Sequence, residues 1–172
     1  MAATGWLGLT SLGIVHTAIS LIAVIAGLVA LFRYKEITLR NGWGRVFVWT
    51  TVLTCLTGFG IFNHGGFGKA HVLGIATLLV LAAAWSAGRL GLFGAAAAYV
   101  EVVGYSATFF FHMIPGVTET TIRLPVGKPL FSGPDDPGLQ PIAAALFLLF
   151  LVGATLQVLR MKRARRGSTA FV

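Results

Sequence analysis

Charged side chains are scarce in this sequence: Asp, Glu, Lys and Arg together make up 10% of its 172 residues, whereas 56% are hydrophobic. Soluble domains usually carry about 25% charged residues, so the composition excludes an ordinary soluble domain. The hydrophobic residues form long runs, and several of these runs are long enough to cross a lipid bilayer as a helix. The composition therefore predicts an integral membrane protein with the lipid bilayer as its main partner.

Cysteine and acidic residues are also rare. The single cysteine, Cys55, lies inside an apolar run, so it gives no indication of the redox compartment. Five acidic residues stand against 13 Lys and Arg, for a formal net charge of +8. Because the basic residues flank apolar runs and are not interleaved with aromatic residues, we attribute them to membrane topology and contact with anionic lipid. No nucleic-acid partner is expected.

The apolar runs predict five membrane spans. Backbone polar groups inside the bilayer must be paired within the segment, which favours helices, and the alternating pattern of β-barrel strands is absent. The predicted fold class is therefore an all-α, polytopic membrane helix bundle in a single domain, residues 1–172. Its spans are predicted at about 6–32, 46–62, 70–88, 92–114 and 141–159, with an outer loop at 115–140 and a basic cytoplasmic tail at 160–172.

The distribution of Lys and Arg predicts the orientation. If the N-terminus is outside, the inner segments hold ten of these residues and the outer segments hold three, Lys69, Arg123 and Lys128. Since short cytoplasmic loops carry an excess of Lys and Arg, the prediction is an N-terminus outside and a C-terminus inside. We expect a multi-pass protein of the inner (plasma) membrane.

All four histidines fall in the predicted outer half of the bundle. His64 and His71 flank the glycine-rich stretch NHGGFGKAH between the second and third spans. His112 lies near the outer end of the fourth span, and His16 lies about ten residues into the first. This one-sided placement makes the histidines candidate ligands.

Glu101 is predicted to lie near the middle of the fourth span. A carboxylate in hydrocarbon is costly, so it should face the bundle interior and either pair or stay protonated. His112 follows eleven residues later, three helical turns on, and projects to the same side. We call the polar side chains of the first four spans the polar seam, and we expect it to open outward. Its predicted members are His16 and Ser20; Thr50, Thr54 and Thr57; His71 and Thr77; and Glu101, Tyr105, Thr108 and His112. The fifth span is almost purely apolar and is predicted to be peripheral.

Three kinds of chemistry fit this pattern. A b-type haem needs two axial imidazoles from facing helices at one depth, for which His71 with His112 is the preferred pair and His16 with His112 the second. Zinc or copper would gather imidazole and carboxylate ligands instead. That metal set would be His64, His71, His112 and Glu119. The third is proton or ion movement with Glu101 as the titrating group and His16 as a relay.

Parts of the chain resemble a known hairpin. The segments 40–47, 58–62 and 68–74 are similar to a hairpin in uncharacterised bacterial predicted integral-membrane protein families, some of which resemble small b-type cytochrome bundles. Those families often place a histidine just before a Gly-Arg pair. This chain has Asn41 ahead of Gly44-Arg45. The resemblance therefore implies a membrane helix bundle, and the departure at Asn41 weakens a haem carry-over from the inner side.

Three functions stay open from the sequence. The first is electron transfer or metal handling through a haem or divalent metal. The second is a non-catalytic accessory or assembly subunit of a membrane complex, or a homo-oligomer, whose polar seam packs on its partner. The third is a small proton-coupled transporter. No nucleophile–base–orienter set is visible, which argues against a hydrolytic enzyme.

Two local features concern the outer loop. Pro115 follows His112 closely and is predicted to end the fourth helix. Glu119 and Arg123 are four residues apart and are predicted to pair.

Overall fold

The computed structural model describes residues 10–62 and 66–169, with side chains as far as residue 167. Within these ranges the chain is all-helical and has no strands, which confirms the all-α part of the predicted fold class. The helices are α1 Ser11–Tyr34, α2 Gly42–Gly58, α3 Lys69–Leu90, α4 Ala97–Thr121 and α5 Leu139–Thr169, and a short 3₁₀ turn, Gly94–Ala96, precedes α4.

Four of these helices, α1, α3, α4 and α5, are long and apolar enough to cross a membrane. The remaining helix, α2, has 17 residues, which is at the short end of what a bilayer requires. The chain is therefore a membrane protein, while five complete spans stay a prediction.

The first two helices begin at side-chain caps that fix where they start. The Thr10 hydroxyl accepts the backbone N–H of Gly13 at 3.1 Å, and the Asn41 side chain accepts that of Gly44 at 2.7 Å. Such caps satisfy backbone donors that the first helical turn leaves unpaired. Because of the Asn41 cap, α2 begins four residues before the predicted 46 and ends at Gly58 rather than 62.

The fourth helix differs from its prediction at both ends. It begins at Ala97 rather than 92, because Phe93 and Gly94 adopt left-handed backbone angles (φ 76° and 52°) that no helix continues through. It then runs through Pro115 to Thr121, so the predicted end at this proline is wrong. Proline is tolerated inside membrane helices where neighbouring groups compensate for the lost hydrogen bond. The outer loop therefore covers 122–138 rather than 115–140.

The fifth helix continues beyond its predicted end. It reaches Thr169, so the predicted basic tail 160–172 is helical over its described residues. Gln157 Nε2 donates to the Lys35 carbonyl at 3.0 Å, and Arg160 Nη1 donates to the Tyr34 carbonyl at 2.9 Å. These bonds hold the basic part of α5 against the C-terminal end of α1.

Small residues bring the helices into close contact. Ala23, Ala26 and Ala30 of α1 are buried against α2 and α4. A Cβ on Gly27 would lie 2.5 Å from the Phe109 ring, so only glycine fits there. Gly104 of α4 similarly faces Ala84 of α3, where an added Cβ would be 3.0 Å from the alanine methyl. This packing agrees with the small-residue interfaces typical of membrane helices.

The fifth helix lies at the edge of the bundle. It packs on α4 through a cluster of Phe110, Phe147 and Phe150 and through a 3.0 Å hydrogen bond from Ser106 to Gln157. Much of its remaining apolar surface is exposed, as expected of a peripheral helix facing lipid.

One end of the bundle collects most of the positive charge, and we call it the basic end. It comprises the C-terminal ends of α1, α3 and α5 and the N-terminal ends of α2 and α4. Its Lys and Arg residues are Arg33, Lys35, Arg40, Arg45, Arg89, Arg160, Lys162, Arg163, Arg165 and Arg166. They are the ten residues assigned to the inner side from the sequence. The side of the membrane on which this end lies stays a prediction.

Candidate functional site

An ion pair at the basic end anchors the candidate site. Glu101 is 5% exposed, and its Oε2 lies 2.7 Å from Nη1 of Arg40 in the loop between α1 and α2. Glu36 lies near the same guanidinium at 3.7 Å. Partial burial disfavours the charged guanidinium, but the hydrogen bond and negative charge of Glu101 outweigh this effect and raise the pKa of Arg40. The Arg40 guanidinium is therefore expected to be charged at neutral pH.

The depth of Glu101 in the structure differs from the predicted depth. Because α4 begins at Ala97, Glu101 is the fifth residue of the helix and lies close to the basic end, not mid-span. Its partner Arg40 was considered in the sequence only as a topology signal. The sequence does contain a usable hint, since a carboxylate near a helix end at the basic side has many cations within reach.

A stripe of buried polar side chains continues from Glu101 along α4. Tyr105, Thr108 and His112 are buried on the same face, at steps of four, three and four residues. This confirms the predicted stripe. The Thr108 hydroxyl donates to the Tyr105 carbonyl at 2.8 Å. The Tyr105 hydroxyl is buried and has no hydrogen-bond partner within the part of the chain that the structure describes.

His112 meets the second helix through a threonine that the sequence reasoning missed. Its Nε2 lies 3.0 Å from the Thr51 hydroxyl oxygen, and its ring packs edge-on against Phe47 at 5.9 Å between centroids. The predicted stripe on α2 began at Thr50, whose hydroxyl instead donates to the Val46 carbonyl at 2.6 Å. The signal for Thr51 was its spacing of three residues from Thr54, which places both on one helical face.

The hydrogen bond of His16 fixes which of its ring nitrogens carries the proton. His16 Nδ1 lies 3.1 Å from the Thr57 hydroxyl oxygen. That hydroxyl donates its only hydrogen within its own helix, to the Leu53 carbonyl at 2.8 Å or the Thr54 carbonyl at 3.1 Å. Thr57 can therefore only accept, so the neutral His16 carries its proton on Nδ1 and keeps a lone pair on Nε2.

His71 has the opposite arrangement. The Gly68 backbone N–H donates to His71 Nδ1 at 3.2 Å, so the neutral ring must carry its proton on Nε2. This Nε2 is buried and has no hydrogen-bond partner among residues 10–62 and 66–169. The ring stacks on Phe62 and Phe67, with centroids 5.0 and 5.2 Å away. His71 therefore caps the start of α3 in contact with aromatic rings.

The preferred haem pair, His71 with His112, stays a prediction, and the surroundings of His71 differ from those of a typical metal ligand. An imidazole that ligates a metal normally donates its other ring N–H to an acceptor, whereas His71 Nδ1 accepts a hydrogen bond and its Nε2 carries the proton. The two histidines also differ in depth. On α3, Gly88 faces Glu101 and Ala84 faces Gly104 of the antiparallel α4.

This register places His112 opposite residue 76 or thereabouts, so His71 lies about five residues, or about 7 Å, farther along the bundle. The expectation of equal depth is therefore not supported. His16 meets the ligand requirement better, because its Nδ1–H donates to Thr57 and its Nε2 keeps a lone pair.

The predicted divalent-metal set is not assembled by its described members. Within residues 10–62 and 66–169, no group of three or more His, Cys, Asp or Glu side chains could hold a metal ion. His64 lies outside the described residues. Glu119 forms an ion pair with Arg123 on the next turn, which confirms the predicted pair and occupies that carboxylate.

No protein-family model, curated protein or solved structure matches this chain significantly. The resemblance to families that include small b-type cytochrome bundles thus stays a prediction.

Proposed function

We propose that this chain is a small proton-coupled transporter of the inner membrane in which Glu101 is the coupling carboxylate. The observation that carries the proposal is the buried Glu101–Arg40 ion pair at the start of a continuous polar face of α4. Ionisable groups inside membrane spans are costly, so they are kept mainly where they line a path for ions or substrates. Here one such group joins a line of polar side chains that extends toward the other end of the bundle.

Proton binding at Glu101 would change the structure in a defined way. A proton added to Oε2 removes the negative charge, and the 2.7 Å contact with Arg40 loses most of its electrostatic attraction. The Arg40 loop joins α1 to α2, so release of its guanidinium frees that connection from α4. The ion pair thus provides a switch between a closed state with ionised Glu101 and an open state with neutral Glu101.

Two histidines extend the path beyond Tyr105. His112 lies eleven residues from Glu101, about 16 Å along the helix axis at 1.5 Å per residue. His16 and His112 both bond to threonines of α2, Thr57 and Thr51 respectively. A neutral imidazole accepts a proton on one nitrogen and releases one from the other. His16 has this arrangement, since its Nδ1–H is bonded to Thr57 and its Nε2 keeps a lone pair.

The orientation proposed is an outer N-terminus and a cytoplasmic C-terminus. It is supported by the collection of ten Lys and Arg residues at the basic end. A C-terminal fluorescent-protein fusion should then fluoresce and a C-terminal alkaline phosphatase fusion should be inactive. The reverse result would contradict the orientation.

Proton flux in liposomes tests the proposed role of Glu101. The purified chain is reconstituted with a pH-sensitive dye inside, and an imposed potential drives proton entry. Glu101→Gln should abolish the protein-dependent flux, while Glu101→Asp should keep part of it because a carboxylate remains. Glu36→Gln is the matched control, since Glu36 is near the same guanidinium at 3.7 Å but outside the stripe. Unaltered flux in Glu101→Gln would contradict the role of this residue.

A glycine beside Glu101 gives a second test that leaves the carboxylate in place. A Cβ on Gly88 would lie 2.6 Å from the Glu101 carboxyl group, so Gly88→Ala should push the carboxylate away from Arg40. Flux should fall although no ionisable group has changed. Gly153→Ala is the control, because an added Cβ there meets nothing within 4 Å.

A second candidate function is electron transfer or metal handling through His16 and His112. It is favoured by the Nε2 lone pair of His16 and by the contact of both His16 and His112 with threonines of α2. A visible absorption spectrum of the purified protein before and after dithionite, with metal analysis, tests it. A haem band lost in His16→Ala but retained in His71→Ala would support this pair, and a sample with neither haem nor metal would contradict it.

The expected role as an accessory subunit receives less support. In that role the polar seam would pack on a partner protein. However, His16, His112 and Glu101 already form hydrogen bonds or an ion pair with other residues of this chain. A partner complex or a homo-oligomer stays a prediction.

A further inference from the structure

We propose that a cavity at the basic end binds a phosphate-type anion. The basic-end cavity lies between α3, α4 and the α1–α2 loop, has a volume of about 240 Å³, and is lined by Arg40, Trp85, Arg89, Glu101 and Tyr105. Sites for drug-sized ligands usually measure about 300–1,000 Å³, so this volume suits a small group such as a phosphate or a lipid headgroup. Binding here does not rest on proton movement along the seam.

Arg89 is the residue of the cavity whose positive charge is available to bind an anion. It lies in the last turn of α3 and is exposed. No carboxylate pairs with it in residues 10–62 and 66–169, whereas Arg40 is paired with Glu101. A guanidinium has five N–H donors in a planar fork that matches the oxygens of a phosphate. Arg89 is therefore placed to take an anion at the mouth of the cavity.

Tyr105 supplies an unsatisfied donor on the inner side of the same cavity. Its side chain is 0% exposed, and its hydroxyl is among the buried polar atoms that lack a partner in the described chain. Buried hydroxyls are nearly always hydrogen-bonded, so an unpaired one indicates a missing partner. Arg40, Arg89, Glu101 and this phenol all line the same cavity. An anionic oxygen in that space would accept the Tyr105 hydrogen.

The charges favour an anion on the Arg89 side of the cavity. Arg40 and Arg89 together carry two positive charges and Glu101 one negative charge, which leaves one positive charge. The Glu101 carboxylate repels an anion, but its Oε2 faces Arg40 at 2.7 Å. An anion bridging Arg89 and Tyr105 would gain two donors.

The location permits two sources for this phosphate chemistry. The basic end carries ten Lys and Arg residues, as expected of a surface that faces anionic lipid headgroups. Trp85 at the cavity is 46% exposed, and tryptophan is enriched at the level of lipid headgroups. A phospholipid headgroup could therefore enter from the bilayer, while free phosphate could enter from water.

Binding to the full chain tests the proposal. One arm titrates inorganic phosphate into protein in mild detergent, with chloride at equal ionic strength as the reference. The other arm compares nanodiscs of phosphatidylcholine with nanodiscs that also contain phosphatidylglycerol. The signal is the tryptophan fluorescence that is lost in Trp85→Phe. The variants are Arg89→Gln and Tyr105→Phe, and Arg45→Gln is the charge-matched control at the same end but outside the cavity.

The wild type should give a saturable response to phosphate, to phosphatidylglycerol, or to both, and the responding arm identifies the source. Arg89→Gln should weaken binding about tenfold or more, since a hydrogen bond to a charged group is worth that much. Tyr105→Phe should weaken it less, and Arg45→Gln should leave it unchanged. No saturable response in either arm would overturn the proposal. Equal losses in Arg89→Gln and Arg45→Gln would also overturn it, because they would indicate surface charge alone. Arg89 is exposed, so its variant is expected to fold even if the Tyr105 variant does not.

Discussion

The guanidinium of Arg40 lies 2.7 Å from the carboxylate of Glu101, so the loop between α1 and α2 is tied to α4, 61 residues farther along the chain. The same carboxylate is so close to α3 that a Cβ on Gly88 would lie 2.6 Å from it. One buried acid of α4 thus contacts two other parts of the bundle, the α1–α2 loop and α3. The fold and the proposed coupling therefore depend on the same side chain.

Removal of the cation should destabilise the protein. Arg40→Ala leaves the buried Glu101 carboxylate without its partner. We expect the free energy of unfolding to fall by about 1–3 kcal/mol, the cost of an unsatisfied buried group. The loss should stay below the roughly 3–5 kcal/mol of a fully buried pair. The Arg40 side chain is 60% exposed, so water can replace part of its interaction with Glu101. Denaturant unfolding in mixed micelles measures this.

The double variant Arg40→Ala/Glu101→Gln should recover part of that stability, because a neutral amide is less costly to leave unpaired than a carboxylate. Arg45→Ala removes one positive charge from the same end and should cost little. A loss in Arg45→Ala as large as that in Arg40→Ala would mean that net charge, not the ion pair, is responsible.

Gly44 should tolerate no side chain, whereas its neighbour Gly42 should. A Cβ on Gly44 would lie 2.0 Å from the Thr38 carbonyl oxygen, which is backbone and cannot move aside easily. We expect Gly44→Ala to cost about 3 kcal/mol, at the upper end for an overpacked site. In Gly42→Ala the new methyl meets nothing within 4 Å and should be neutral or slightly stabilising. Thermal unfolding of the two variants compares their stabilities. Equal stability would contradict the close approach of Gly44 to the Thr38 carbonyl.

His16 and His71 should carry their protons on opposite ring nitrogens. Thr57 can only accept from His16 Nδ1, whereas the Gly68 N–H donates to His71 Nδ1. Nitrogen-15 chemical shifts of the labelled imidazoles at neutral pH should therefore show Nδ1–H for His16 and Nε2–H for His71. Thr57→Val should change the His16 signals and leave those of His71 in place. The same tautomer in both rings would contradict the hydrogen-bond assignment.

The loop before α5 should respond to acid through Asp136. Its carboxylate accepts the Ser132 N–H at 3.0 Å, the Ser132 hydroxyl at 2.9 Å and the Gly138 N–H at 2.9 Å, and these bonds lower the pKa of Asp136 below its usual 3.8. Because the folded pKa is lower than the unfolded one, the stabilisation is present above the unfolded value and is lost as pH falls through the folded value.

The amide resonances of Ser132 and Gly138 should consequently shift together, with a midpoint below 3.8. Asp136→Asn should remove this titration. Asp135→Asn in the same loop should leave it unchanged, because the Asp135 carboxylate bonds to Lys69 and the amides of Ser132 and Gly138 bond to Asp136. A midpoint at or above 3.8 would contradict the geometry.

Several local features could be predicted from the sequence because short-range rules control them. The Glu119–Arg123 pair follows from a spacing of four residues, and the buried polar stripe of α4 follows from helical periodicity. Helix ends were less predictable. The Asn41 cap of α2 and the passage of α4 through Pro115 depend on individual hydrogen bonds and on compensation by neighbouring helices.

The sequence by itself determined that this is an all-helical membrane protein with an acid and several histidines among its apolar helices, because hydrophobic run length and helical period do not depend on neighbours. Only the tertiary structure decided which groups meet. It pairs Glu101 with Arg40 rather than with a histidine, and it sets His71 apart from His112. The physical reason is the register between helices, which is fixed by small-residue contacts such as Gly104 against Ala84 and which no single helix encodes.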